Sequence, residues 1–392
     1  MKTDKITGNK GEWSEMYAFL KLLGERRIYG ADGDLNIRKD IYYDINKIIR
    51  EEIKGKEIEY VVNENLKSID VMVNGEVKAT FKFERYAEEA EYLFEQMCSL
   101  EGTFTIDRTI DFMERICCKK LKASSKEKTD IVVGIHDYRT GMEPVLGFSI
   151  KSNIGGDSTL LNPSRATNFI FELEGSTDAD LDTMNSFKDV RNSKNGPKEH
   201  ADLNSRAEHM HKNGLKPKYV NTQSEVFKGN MTMIDSNFPV IIAEMLKDFY
   251  INGESSLEKQ VINVTRLNPL NYSAPISKML YELKVKKFLF AIATGMVPNS
   301  YWSGKRDATG GYFIVKESGD VVCYHLYNSD DFEDYLLKNT YMDKPSTSRY
   351  GYGNVEKTSD GRYIIKLNLQ IRFKKVKTKS KDSKIASLDK WD

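Results

Sequence analysis

The stretch TDIVVGIHDYRTGMEPVLGFSIK, residues 129–151, decides how the chain is read. Its two arms, DIVVGI from Asp130 and VLGFSIK closing at Lys151, have strand composition, and the HDYRTGMEP between them carries Gly141 and Pro144. Two such runs about a turn form an antiparallel hairpin. With the turn centred near Thr140, Asp130 and Lys151 fall opposite each other at the open end, 21 positions apart in sequence but neighbours in space. Alternation along a strand places Ser149 and Lys151 on one face. An Asp and a Lys at a hairpin mouth also make an ordinary salt bridge, so spacing alone does not define a site. The pair nevertheless has the chemistry that metal-assisted phosphodiester hydrolysis needs: a carboxylate that can hold a divalent ion and an ammonium that can stabilise or relay charge.

The surrounding composition narrows the class. At 392 residues the chain is long enough for two domains or one elaborated domain. Its 21 Tyr and 18 Phe supply ample core, while 30% charged residues cover a normal surface. No apolar stretch approaches the roughly 18 residues that span a bilayer, and MKTDKITGNKGEW lacks the apolar centre of a signal peptide. A cytoplasmic protein with no membrane partner is expected. Cys98, Cys117, Cys118 and Cys323 contain no C-x-x-C pair, which argues against a disulfide framework or zinc ribbon. A net charge of +1 argues against coating nucleic acid by bulk attraction, yet it suits a site-specific enzyme with a local basic cleft.

Periodicity gives a provisional layout. Residues 11–23 show helical spacing, with Asn9 placed to cap, and residues 40–53 read as a second helix with Ile41, Ile45, Ile48, Ile49 and Ile53 on one stripe. Residues 58–62, 68–73 and 76–83 read as strands, with Asn74-Gly75 as a hairpin turn. Helices follow at 87–100 and 108–117, and SSKEK links them to the Asp130 strand. The SNIGGDSTLLNPSRA after Lys151 reads as a surface loop or a broken helix start, and 167–173 is apolar but ambiguous in type. Helical patterns recur in part of 179–190, and at 201–212, 240–251, 255–266 and 275–294. Strands then dominate at 311–316, 321–327 and 363–373. This divides the chain into an N-terminal helical and β region (1–125), a core (126–252), a C-terminal α/β region (253–375) after the GESS linker, and a basic tail (376–392). The expected class is α+β, a mixed central β-sheet flanked by helices.

Three long words carry more specific information. NKGEWSEMYAFLKLL from Asn9, GFSIKSNIGGDSTLLNPSRATNFIFEL from Gly147, and KPSTSRYGYG from Lys344 followed by KLNLQIRF resemble the HpaII family of type II restriction endonucleases. The resemblance spans nearly the whole chain. It implies a PD-(D/E)xK core in residues 126–252, magnesium-dependent cleavage of double-stranded DNA with manganese able to substitute, and a short palindromic target of the CCGG type. A palindrome implies a homodimer on DNA, and a restriction enzyme implies a cognate methyltransferase encoded nearby. One departure stands out: Ser149 occupies the position where the motif has Asp or Glu.

Catalytic duty therefore falls to Asp130, Lys151 and, with a hydroxyl only, Ser149. A hard cation needs more oxygen than Asp130 provides. Glu15, among the apolar positions of the first helix, is one candidate for the missing carboxylate; the alternative is Glu172 or Glu174, downstream of Lys151, resembling nucleases in which the acidic residue has moved from the strand to a following helix. Arg165 and Asn168 follow the active strand closely, and Arg349 sits among the glycines and aromatics of STSRYGYG, so these three are candidates for DNA contact. His200, His209 and His211 invite a metal reading, but helical residues two apart face different ways. Two rival functions remain: a structure-specific repair nuclease of the same fold, and a DNA-binding protein without catalysis.

Overall fold

The computed structural model describes residues 6–53, 56–122, 129–193 and 196–374. The SSKEK segment and the basic tail lie outside them. Helix α1 (Lys10–Glu25) begins with a capping box, in which Asn9 accepts from the Glu12 N–H and the Glu12 carboxylate accepts from the Asn9 N–H. Trp13, Met16, Phe19, Leu20 and Leu23 are buried along it.

Strands β1 (Arg27–Ala31) and β2 (Ile37–Ile53) follow, then the meander β3 (Lys56–Asn63), β4 (Ser68–Val73) and β5 (Glu76–Lys82). Residues 40–53, expected as a helix, are the greater part of β2, a strand of 17 residues. The cause of the misreading is visible in its register. Ile41, Tyr43 and Ile45 alternate inward, an irregularity at Ile45/Lys47 shifts the parity, and Ile48, Arg50 and Glu52 continue inward. That shift turns a spacing of two into three, so Ile41, Ile45 and Ile48 mimic a helical stripe. Isoleucine, stiff at χ1, is at home in the strand.

After α2 (Phe83–Ser99) and α3 (Asp107–Arg115), the quoted stretch forms β6 (Ile131–Asp137) and β7 (Val145–Ser152), antiparallel as expected. The ambiguous segment is a strand, β8 (Asn168–Glu174), followed by α4 (Asp178–Ser186), α5 (Leu203–Lys212), β9 (Lys216–Thr222), α6 (Glu225–Thr232), α7 (Phe238–Asn252), α8 (Leu257–Leu267) and α9 (Ala274–Thr294). The C-terminal part adds β10 (Gly311–Val315), β11 (Val321–His325), α10 (Ser329–Lys338), α11 (Thr347–Tyr350), β12 (Val355–Lys357) and β13 (Tyr363–Asn368).

The main sheet has nine strands in the order β1-β11-β10-β7-β6-β2-β3-β4-β5, mixed because β10 runs parallel to β7 and β11 parallel to β1. The long β2 also pairs with β1, so β1, β11, β10, β7, β6 and β2 close into a six-stranded barrel. A mixed sheet was expected; its closure was not, because the helical reading of β2 removed the strand that closes it. A separate sheet runs β9-β8-β13-β12.

Two cores share the barrel wall. Phe148 and Ile150 of β7 and Phe313 of β10 pack with Trp13 and Phe19 of α1, whereas Tyr312 and Ile314 of β10 join a core built on Phe238, Leu246 and Phe288. Strand β10 is buried on both faces, which its unbroken YFIV reflects. Its start requires glycine: Gly311 has φ +115°, and a Cβ there would lie 2.0 Å from the Tyr324 carbonyl oxygen. Because β10 inserts beside β7, residues 126–252 do not complete the sheet without residues 311–325.

Candidate active site

The hairpin register sets the site. Ile131 pairs with Phe148 and Asp137 bridges Met142, so the turn centres between Arg139 and Thr140. Continuing that register places Asp130 level with Ser149, two residues short of the expected partner Lys151. The Asp130 N–H donates to the Phe148 carbonyl at 2.9 Å, and its carboxylate Oδ2 accepts from the Ile150 N–H at 2.7 Å. The side chain thus curls around the end of β7. One face of β7 at this point carries Lys151, whose Nζ lies 5.9 Å from the Tyr312 ring centroid; the other carries Ile150, packed towards α1. Burial chiefly, and the Asp130 charge after it, hold the Tyr312 phenol in its neutral form.

Helix α1 reaches the same strand end from the opposite side. Ser14 Oγ is 2.8 Å from Ser152 Oγ and donates to the Lys10 carbonyl at 2.7 Å, which pins the helix to the last residue of β7. The next residue is Glu15. It is 8% exposed, and its carboxyl pKa is raised from 4.5 to about 7, first by burial and then by the Asp130 charge, against a lowering by Lys122 at 3.4 Å. Glu15, Lys122, Lys10, Lys151 and Gly155 line one open cleft of about 720 Å³.

The expected residues therefore divide. Glu15, Asp130 and Lys151 converge on the end of β7. Ser149 lies beside them in the strand but is buried. Glu172 does not join them: it stands on β8 in the separate sheet, opposite Lys218, with Arg362 Nη1 at 3.3 Å from its carboxylate. It was expected on a helix folding back to the metal, and a strand in another sheet holds it away. Asn168 is also not a free reader of bases. It is fully buried, donates to the Tyr350 carbonyl at 2.9 Å and to Gln223 Oε1 at 2.8 Å, and accepts from Asn368 at 2.6 Å. Its amide is consumed in holding the loop that carries Arg349. Arg165 and Arg349 are exposed, and the Arg165 side chain lies against Gly351, two residues from Arg349. His209 bonds Asp180 at 2.9 Å, a half-buried pair that joins α5 to α4.

Two carboxylates are what the site offers a metal; among the described residues no three His, Cys, Asp or Glu side chains converge. The donor set suits a hard divalent ion that takes its remaining oxygens from water, backbone carbonyls and phosphate. Two like charges forced together in a partly buried place are relieved by such an ion. A larger hollow of about 1210 Å³ near the barrel carries Arg27 and Lys47, but these are already paired with Asp44 and Glu59 at 2.6 and 2.8 Å. Lys122 and Lys10 were missed in the sequence, since KKLKASSKEK reads as a solvated linker and Lys10 as the first turn of a helix.

Over residues 9–373, from the cap of α1 to the short strand Ile371–Phe373, the chain matches the family model for the HpaII restriction endonuclease, and it belongs to that family. A particular relative is the type II restriction enzyme HpaII of Haemophilus parainfluenzae, 38% identical over 373 residues that cover 95% of this chain and 99% of that one. No solved structure matches.

Proposed function

We propose that this chain is a type II site-specific endonuclease that hydrolyses double-stranded DNA at a short palindrome of the CCGG type, using Mg2+ with Mn2+ as substitute. The observation that carries the reading is the meeting of Glu15 from α1 with Asp130 from the β6 end, beside Lys151, in a member of this family. Glu15 and Asp130 would hold the ion. Bound there, it would neutralise charge on the scissile phosphate and acidify a water. Lys151, its ammonium free of any carboxylate partner among the described residues, orients the attacking water or stabilises the charge that develops on phosphate oxygens. Arg165 and Arg349, exposed on adjoining turns, are the proposed DNA contacts, a planar fork being suited to guanine or phosphate.

A palindromic target matches a two-fold pair of chains, so a homodimer on DNA is part of the proposal, and a methyltransferase encoded nearby would protect the host genome. No helix of the described residues is long and apolar enough to cross a membrane. Digestion of a sequenced plasmid with Mg2+, followed by mapping of the cut ends, tests the reading. Discrete cuts at one short palindrome, abolished by EDTA, are expected. Cuts set by DNA structure rather than sequence would move the assignment to a repair nuclease, and binding without cutting would leave a DNA-binding protein.

A further inference from the structure

The cleft already holds a cation of the protein's own. Lys122 Nζ stands 3.4 Å from Glu15 Oε1, with 56% of the lysine side chain exposed. Its head is free to swing, but its base is not. Immediately upstream, Arg50 and Glu52, each 2% exposed, form a buried clamp on the backbone. Arg50 Nε bonds Glu52 at 2.8 Å, and Arg50 Nη2 donates to the carbonyls of Lys120 at 2.8 Å and Leu121 at 3.3 Å. The second Glu52 oxygen accepts the N–H groups of Lys119 at 2.8 Å and Lys120 at 3.1 Å. The chain is thus fixed up to the residue before Lys122, and the ammonium is brought to Glu15 without the ordering cost that a loose linker would carry. A buried charge pair is an expensive way to hold a loop unless the position of that loop matters.

What the ammonium does there follows from charge. Glu15 and Asp130 repel each other, and a positive group beside Glu15 offsets part of that repulsion. A divalent ion held by the same two carboxylates would repel the ammonium. We propose that Lys122 is a placeholder cation: it rests on Glu15 in the metal-free enzyme and is displaced into the cleft, towards the DNA backbone, when a divalent ion takes its place. The inference rests on the metal-dependent nuclease reading. It gives Lys122 two opposed effects, competition with metal in the free protein and attraction of phosphate in the complex, which a merely structural surface lysine would not show.

The test is Mn2+ titration of the full chain without DNA by isothermal calorimetry at pH 8.5, for wild type, Lys122→Gln and Lys122→Arg, each checked for folding by circular dichroism. Lys122→Gln is expected to bind Mn2+ about three- to fivefold more tightly, the size an exposed ion pair accounts for, with Lys122→Arg near wild type. In a Lys151→Ala background that prevents cutting, with Mn2+ present, Lys122→Gln is also expected to lower the slope of log affinity for duplex DNA against log salt by about one, the loss of one phosphate contact. Folded Lys122→Gln with unchanged or weaker Mn2+ affinity overturns the placeholder while leaving the nuclease reading intact. Wild type that binds no Mn2+ at all overturns that reading, and the placeholder with it.

Discussion

Replacing Glu15 by Gln separates the stability of this fold from its chemistry. The folded chain keeps a proton on Glu15 up to about pH 7, whereas an unfolded glutamate releases it near 4.5. Between those values folding takes up a proton, so stability falls as pH rises through the window. The shift of about 2.5 units corresponds to about 3 kcal/mol, at roughly 1.4 kcal/mol per unit, and the conversion is warranted because Glu15 is only 8% exposed. Glutamine never ionises. It loses the Lys122 contact, whose effect the value of about 7 already includes, and leaves Asp130 without a like-charged neighbour. Glu15→Gln is therefore expected to be more stable than wild type by about 3 kcal/mol at pH 8 and nearly equal to it near pH 4.5. For a chain of this length that is a rise of about 3–4 °C in Tm at pH 8. Urea unfolding in EDTA at pH 4.5, 6, 7 and 8 measures the difference, and cleavage with Mg2+ should fall below detection in the same protein. A stability difference that does not change with pH would refute the reasoning, since it would mean that burial and the Asp130 charge do not hold the Glu15 carboxyl in its neutral form.

Three further outcomes are expected. Lys151→Ala should cut a cognate duplex at least about a hundredfold more slowly while binding it nearly as well in a gel-shift assay, because the proposed role is confined to the reacting phosphate. Arg349→Ala should cost about 1–3 kcal/mol in DNA binding with no change in Tm, whereas Asn168→Ala, which strands partners on Gln223, Tyr350 and Asn368, should cost about 2–3 kcal/mol in unfolding free energy; the opposite pattern would exchange their roles. Glu52→Gln leaves Arg50 buried without its counter-charge and is expected to destabilise by about 3–5 kcal/mol, measured by urea unfolding, with Glu52→Gln/Arg50→Met recovering much of it.

The hairpin and both of its flanking words were legible because their signals are local. Alternation, Gly141, Pro144 and the Asn9 cap each act within a few residues. Barrel closure was not, because it depends on the strand of residues 37–53 pairing on two sides, and its parity shift at Ile45/Lys47 disguised the period. Glu15 was legible as a carboxylate among core residues of a helix. Glu172 was equally acidic and nearer in sequence, and only the sheet to which residues 168–174 belong separates them. Asn168 shows the limit from the other side, since an amide that suits adenine also suits a buried carbonyl, and sequence does not say which it meets. Lys122 was hidden by its neighbours, for one lysine of a lysine-rich linker is ordinary until Arg50 and Glu52, some 70 residues earlier, are seen to grip the backbone beside it.

The absence of a carboxylate at Ser149 makes sense in this architecture. A motif with its second carboxylate on the lysine's strand needs both groups on one face, and here that face of β7 is continuous with the buried face of its neighbour β10, with Ser149 level with Tyr312 and Lys151 level with Ile314. A carboxylate at residue 149 would be buried beside the Tyr312 ring with Asp130 across the hairpin, at the cost of a second uncompensated charge in the core. In the proposed site the acid comes from α1 instead, where Lys122 beside Glu15 and the open cleft offset part of that cost. The helix arrives on the opposite face, Ser14 ties it to Ser152, and Glu15 meets Asp130 around the strand end, where the cleft admits water and phosphate. The relocation has a consequence for the fold. The site depends on a helix that precedes Asp130 by more than a hundred residues and on a strand pair, residues 311–325, that follows it by nearly two hundred. Parts of the chain lacking either end would therefore lose the geometry even where the β6–β7 hairpin survives.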